Sequence, residues 1–159
     1  VLKGHIAVSN FKLNNKTSGS IIDRAARKYL KKINLDYAHG TGHGVGYFLN
    51  VHEGPHAISK NNFINFKEGM IVSNEPGYYE KNKFGIRIEN LIYVKKNKNQ
   101  LTFDYLTMAP LDKNLIDESI LNMTEKNWIN KYHKKVFQNL KGFMNKVEMS
   151  ELKKSCSAI

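Results

Sequence analysis

One cysteine stands among 159 residues, so no internal disulfide framework is available, and the usage fits a reducing compartment. Cys156 lies in Cys156-Ser157-Ala158-Ile159. That matches a prenylation box in position alone, since its middle residues are poorly aliphatic, and an ordinary terminal cysteine is the better reading. No apolar run approaches the roughly 18–20 residues of a membrane span. No membrane partner is therefore expected, and the expected location is the cytoplasm. Internal repeats and long linkers are also missing. The chain opens Val1-Leu2-Lys3, with neither Met nor a signal-like segment, and is expected to be part of a longer protein. Arginine is scarce: three against twenty-two lysines, with fourteen acids, for a net charge of +11. This charge is spread along the chain and accompanied by nineteen asparagines. It reads as surface composition, not as a groove for nucleic acid, which is not an expected partner. The sequons at Asn15 and Asn122 would matter only in a secreted protein.

The length suffices for one domain with a real core. Residues 20–33 predict an amphipathic helix, with Ile22, Ala25/Ala26, Tyr29/Leu30 and Ile33 on one face, Ser20 as its cap and Asp23 three residues on. The stretch before it reads as the tail of another helix. Residues 70–79 predict a strand broken by Pro76-Gly77, residues 85–94 a single strand, and residues 101–106 a third. Short connections between them suggest an antiparallel sheet. After a cap at Thr124, a helix is expected with Trp128, Tyr132, Val136, Leu140 and Phe143 as one stripe, for the core or a subunit contact. The last ten residues are expected to fray.

Residues 39–56, HGTGHGVGYFLNVHEGPH, hold four of the six histidines and five of the eleven glycines. His52-Glu53-Gly54-Pro55-His56 has the letters of a zinc-protease helix. Gly54 weakens a helix interior by about 1 kcal/mol and Pro55 by about 3 kcal/mol, and the proline ring would clash with the Val51 carbonyl. That reading is excluded. Glycines at every second position, from 40 to 46, fit neither a dinucleotide fingerprint nor a P-loop. They imply backbone that passes close to something or takes positive φ.

What remains is a metal or proton-transfer site assembled from separate strands. His39, His43 and His52 lie close together in sequence. Glu75 stands in an apolar strand before Pro76, and Glu89 stands between Ile88 and Asn90 with Leu91 beyond. A carboxylate in a core strand costs several kcal/mol unless paired or metal-bound. For Glu89 the plain alternatives are pairing with Arg87 or exposure at a sheet surface.

Four blocks in order, HGTGHGVG, NVHEGP, MIVSNEPGYY and FGIRIENL, resemble aminopeptidase P, the Xaa-Pro aminopeptidases of the creatinase/prolidase/methionine aminopeptidase superfamily. His43 to His52 is nine residues, His43 to Glu75 thirty-two, and Glu75 to Glu89 fourteen. VLKGHIA at the start and the tail resemble the larger cytosolic eukaryotic type. The resemblance implies an α/β (α+β) fold, the C-terminal half of a pita-bread fold, with a curved antiparallel sheet and flanking helices. It implies the catalytic part over residues 1–110 and a helical extension packed on it over 111–159. It implies two divalent metal ions, usually manganese, with zinc or cobalt as alternatives. His43 and Glu75 would hold one ion and Glu89 would bridge both. His52 would touch substrate and handle protons with Glu75, His39 would line the proline pocket, and Arg87 would stand beside the bridging carboxylate.

Peptides with proline second are the implied substrates, and a homodimer the implied assembly. The family's two aspartate ligands have no counterpart among Asp23, Asp36, Asp104, Asp112 and Asp117, so the chain alone is expected to be inactive. A prolidase-type dipeptidase is the nearer alternative. A pita-bread module that only binds peptides or nucleic acid is the more distant one.

Overall fold

The computed structural model describes residues 1–48 and 50–159. They form two compact units, Val1–Thr107 and Met108–Ile159. The first begins with helices α1 (Leu2–Ser9) and α2 (Gly19–Lys31), followed by strands β1 (Gly42–His43), β2 (Ala57–Ile58), β3 (Ile71–Asn74), β4 (Gly77–Glu80), β5 (Phe84–Arg87), β6 (Asn90–Asn97) and β7 (Gln100–Tyr105). All strand pairings are antiparallel: β1 with β2, β3 with β6 and β6 with β7, and β4 with β5. Alternation sets the inner face of β6, where Asn90, Ile92 and Val94 are buried while Leu91 and Tyr93 are half-buried. Ile92 and Val94 meet Val72, Phe103, Phe66 and Ile58 from the sheet side, with Ile22 and Ala26 from α2. Each such side chain contributes about 1.5–3 kcal/mol by leaving water.

Helix α2 starts two residues earlier than its periodicity suggests. Ser18 is its N-cap and Ser20 lies inside it. Asp23 makes no capping contact and instead bonds Arg27 and Thr41.

The expected single strand over residues 85–94 is two strands, β5 and β6, with Ile88 and Glu89 between them. Their register does not slip. Asn74 pairs with Asn90 and Gly77 with Arg87, so position 75 stands opposite 89 and 76 opposite 88. Ile88 N–H still donates to the Pro76 carbonyl at 3.3 Å. Proline has no N–H to return, and Glu75 gives its own N–H to the Thr41 carbonyl at 2.8 Å. The ribbon is continuous in register but interrupted in hydrogen bonding where its two carboxylates lie. Beyond the break β5 is exposed on both faces, so its isoleucine joins no core.

In the second unit α3 (Met123–Leu140) is capped by Asn122, not Thr124, in a reciprocal box with Glu125. Trp128, Tyr132 and Val136 are buried, whereas Phe143 is 84% exposed and belongs to no stripe. The C-terminal residues do not fray as a block. Lys146–Ser155 form α4, opened by a second reciprocal box between Asn145 and Glu148. Lys113 Nζ donates to the carbonyls of Lys154 and Ser157 at its far end. No helix among the described residues is long and apolar enough to cross a membrane.

Candidate metal centre

Residues 52–56 form no helix, so His52 and His56 do not share a face. His56 turns into the sheet, its Nε2 2.7 Å from the Ile71 carbonyl and its ring against Phe66. The alternating glycines serve close approach, not positive φ. A Cβ on Gly42 would lie 1.8 Å from the Ser73 carbonyl oxygen, and one on Gly44 2.0 Å from that of Glu53. Bare backbone at these two positions lets β1 lie against β3 and the loop before His56, with His43 between them.

His43, Glu75 and Glu89 each offer a ligand atom, and the three atoms lie within 4.8 Å of one another. The interrupted ribbon explains two of them. Residues directly opposite in an antiparallel pair share a face, so Glu75 and Glu89 project together. Two like charges so placed are destabilising without a cation. β1 supplies the third. His43 N–H donates to Ser73 Oγ at 2.9 Å, and Ser73 Oγ donates to Glu75 Oε1 at 2.8 Å. The His43 Nδ1 lies 3.0 Å from the Gly44 carbonyl, which can only accept. Nδ1 therefore carries a hydrogen, and Nε2, 3.4 Å from Glu75 Oε1, is the ring atom placed to ligate. An imidazole Nε2 and two converging carboxylates are a donor set that fits a divalent ion.

Glu89 is not a core residue but exposed, while Glu75 is 8% exposed. The burial penalty invoked for Glu89 therefore does not apply, and its partner across the ribbon is what marks it. His52 is exposed, with its ring 4.1 Å from that of His43. Arg87 Nη1 lies 3.5 Å from Glu75 Oε2, so its nearest carboxylate is Glu75 and not its strand neighbour Glu89. The hydrogen bond to Tyr79, opposed by partial burial and aided by the charges of Glu75 and Glu89, holds the guanidinium above its ordinary range. It stays a cation throughout.

His39 joins this cluster through a residue that sequence reasoning passed over. Its Nδ1 lies 2.7 Å from the Gly40 carbonyl and its Nε2 2.8 Å from the Tyr79 hydroxyl. The first contact fixes the tautomer, so the hydroxyl donates to Nε2. The same oxygen accepts from Arg87 Nε at 2.8 Å. A directed chain thus runs from Arg87 through Tyr79 to His39. Tyr79 lies in the quoted GYY, and its only sequence signal was a hydroxyl on the strand facing Arg87.

Residues 1–96 match the model of metallopeptidase family M24, and residues 99–159 match the C-terminal region of peptidase M24. The chain belongs to metallopeptidase family M24. Within the family it is 47% identical over 174 residues to a probable Xaa-Pro aminopeptidase P of Laccaria bicolor, covering 100% of this chain and 27% of that protein. A second probable Xaa-Pro aminopeptidase P, from Coprinopsis cinerea, is 49% identical over 151 residues, covering 88% and 24%. The M24 chain thus spans about a quarter of the length of the curated relatives it matches.

Among solved structures it resembles an X-prolyl aminopeptidase from Caenorhabditis elegans, described as a cytosolic enzyme with a di-nuclear active site. The TM-score is 0.91 at 39% identity, covering 100% of this chain and 28% of that one. It also resembles a prolidase from Pyrococcus furiosus, with a TM-score of 0.59 at 30% identity, over 67% of this chain and 30% of that one. The α/β pita-bread class expected from the motifs is the class of this M24 chain.

Proposed function

We propose that this M24 chain is the C-terminal part of the catalytic domain of a metal-dependent Xaa-Pro aminopeptidase, with residues 111–159 as its helical extension. The observation that carries the reading is the convergence of His43, Glu75 and Glu89 within 4.8 Å. The relatives extend the support, because the aminopeptidase likeness covers the whole chain and the prolidase likeness 67% of it. His43 and Glu75 would hold one divalent ion and Glu89 would bridge to a second, manganese being the preferred metal and zinc or cobalt substitutes. The remaining ligands come from the rest of the longer protein, so the 159 residues alone do not turn over.

Bound metal supplies an activated water and polarises the scissile carbonyl. This chain's side chains do the rest. Glu75 accepts the proton of the attacking water at a carboxylate oxygen and delivers it to the prolyl nitrogen, which cannot leave without one. His52, exposed beside His43, donates to the carbonyl oxygen as negative charge develops there. His39 and Arg87, joined through Tyr79, line the place of the proline ring. The working form is a cytoplasmic homodimer acting on peptides.

Peptide length tests the assignment. The full-length protein, loaded with manganese, is expected to release the first residue from tripeptides and longer peptides with proline second. Cleavage confined to Xaa-Pro dipeptides would make it a prolidase. No cleavage of either would leave a binding module.

A further inference from the structure

Arg27 is 9% exposed on α2, yet no metal ligand or substrate-facing side chain touches it. Taking a guanidinium out of water costs several kcal/mol unless its hydrogens are satisfied. Here four of its five N–H groups have named acceptors. Nε donates to Asp23 Oδ2 at 2.8 Å, and Nη1 to Asp36 Oδ1 and the Tyr37 carbonyl, both at 2.7 Å. Nη2 donates to the His39 carbonyl at 2.7 Å. The Arg27 Cζ lies 3.9 Å from the centre of the Tyr37 ring, and that centre lies 4.9 Å from the centre of the His39 imidazole.

An arginine placed only to hold its helix would need Asp23 alone. Two of these bonds go instead to the main chain on either side of Ala38, fixing the path of the segment that carries His39. A second strut closes the frame. Thr41 Oγ1 donates to Asp23 Oδ1 at 2.6 Å and bonds the Tyr37 hydroxyl. Burial pushes that phenol up to about 12, so it remains a neutral hydroxyl. The Thr41 carbonyl accepts the Glu75 N–H at 2.8 Å.

We propose that Arg27 is a positioning residue that sets His39 for the reaction. The proposal rests on the Xaa-Pro aminopeptidase reading, and its test separates the two. Arg27→Lys keeps the charge but loses the planar fork that reaches several acceptors at once.

In the full-length manganese-loaded protein it is expected to lower kcat/KM about 10- to 100-fold with metal content unchanged. His39→Ala is expected to lower it too, and the double variant no further than His39→Ala alone. Should Arg27→Lys not fold, Asp36→Ala carries the same cycle, because Asp36 is 46% exposed at its side chain. Its loss is expected to be about 3- to 10-fold and equally absent without His39. Losses that multiply would overturn the proposal, as would full activity in Arg27→Lys or in His39→Ala.

The histidine ring resonance assigned to His39 gives a reading independent of turnover. It is expected to shift in the arginine variant, and an unmoved signal overturns the proposal even if the protein cleaves no Xaa-Pro peptide. Failure of wild-type cleavage alone would count against the function and not against Arg27.

Discussion

Tyr79 has one hydroxyl and two partners. It donates to His39 Nε2 and accepts from Arg87 Nε, so a single oxygen fixes the orientation of both. Tyr79→Phe removes that oxygen while leaving the ring, and its 42% exposure lets water take up both freed groups. Stability is expected to change by less than about 1 kcal/mol. On the proposed reading kcat/KM falls on the order of tenfold, about 1.4 kcal/mol of transition-state stabilisation. Denaturation and steady-state kinetics on the same preparation check both halves. The residue went unread in the sequence because a strand tyrosine beside a turn carries no signal of a site in its residue type. His43, Glu75 and Glu89 were legible for the opposite reason, being ionisable types set among glycine and β-branched neighbours. Arg27 was not, because half of its named acceptors are main-chain carbonyls, which leave no trace in residue type.

At the scale of elements, the ribbon from β3–β6 through β4–β5 sets the chemistry. Its alternation was readable and its interruption was not. The break arises where Pro76 lacks an N–H and Glu75 gives its own to a third segment at Thr41, a contact thirty-four residues distant in sequence. The same holds for α4: Asn145-Lys146-Val147-Glu148 is a capping box in letters, but its polar surroundings gave no apolar period to attach it to.

α1 meets the sheet through His5, which is fully buried and whose carbonyl accepts from Asn74 Nδ2 at 3.0 Å. Burial lowers the His5 imidazole from 6.5 to about 4, against smaller opposing contributions from the Ile88 and Asn74 backbones. The neutral ring is thus favoured in the fold. Above pH 6.5 its contribution to stability is fully present. As pH falls from 6.5 towards 4 the unfolded chain takes up a proton that the fold refuses, and stability is lost. Between pH 7 and pH 5 the His5 share is about 2 kcal/mol. Denaturant melts at the two pH values should show it, and His5→Phe should remove that part of the difference.

Across the whole molecule, membership of family M24 and the convergence of three ionisable residues from separate segments agree, although they rest on different evidence. The fold class was legible because the strands carry their alternation and the motifs come in order. No linker composition marks the division into Val1–Thr107 and Met108–Ile159. The net charge of +11 acts at this scale as well, favouring solubility and saying little about fold.

The proposed site makes one demand of the complete protein: its divalent metal must depend on the carboxylate that stands opposite Glu75 across the interrupted ribbon. Metal stoichiometry by elemental analysis of the full-length protein and its Glu89→Gln variant measures this directly. Two ions per chain are expected in the first. In the variant, as folded by circular dichroism, loss of at least one ion is expected. Two ions retained in folded Glu89→Gln protein would contradict the assignment of Glu89 as the bridge.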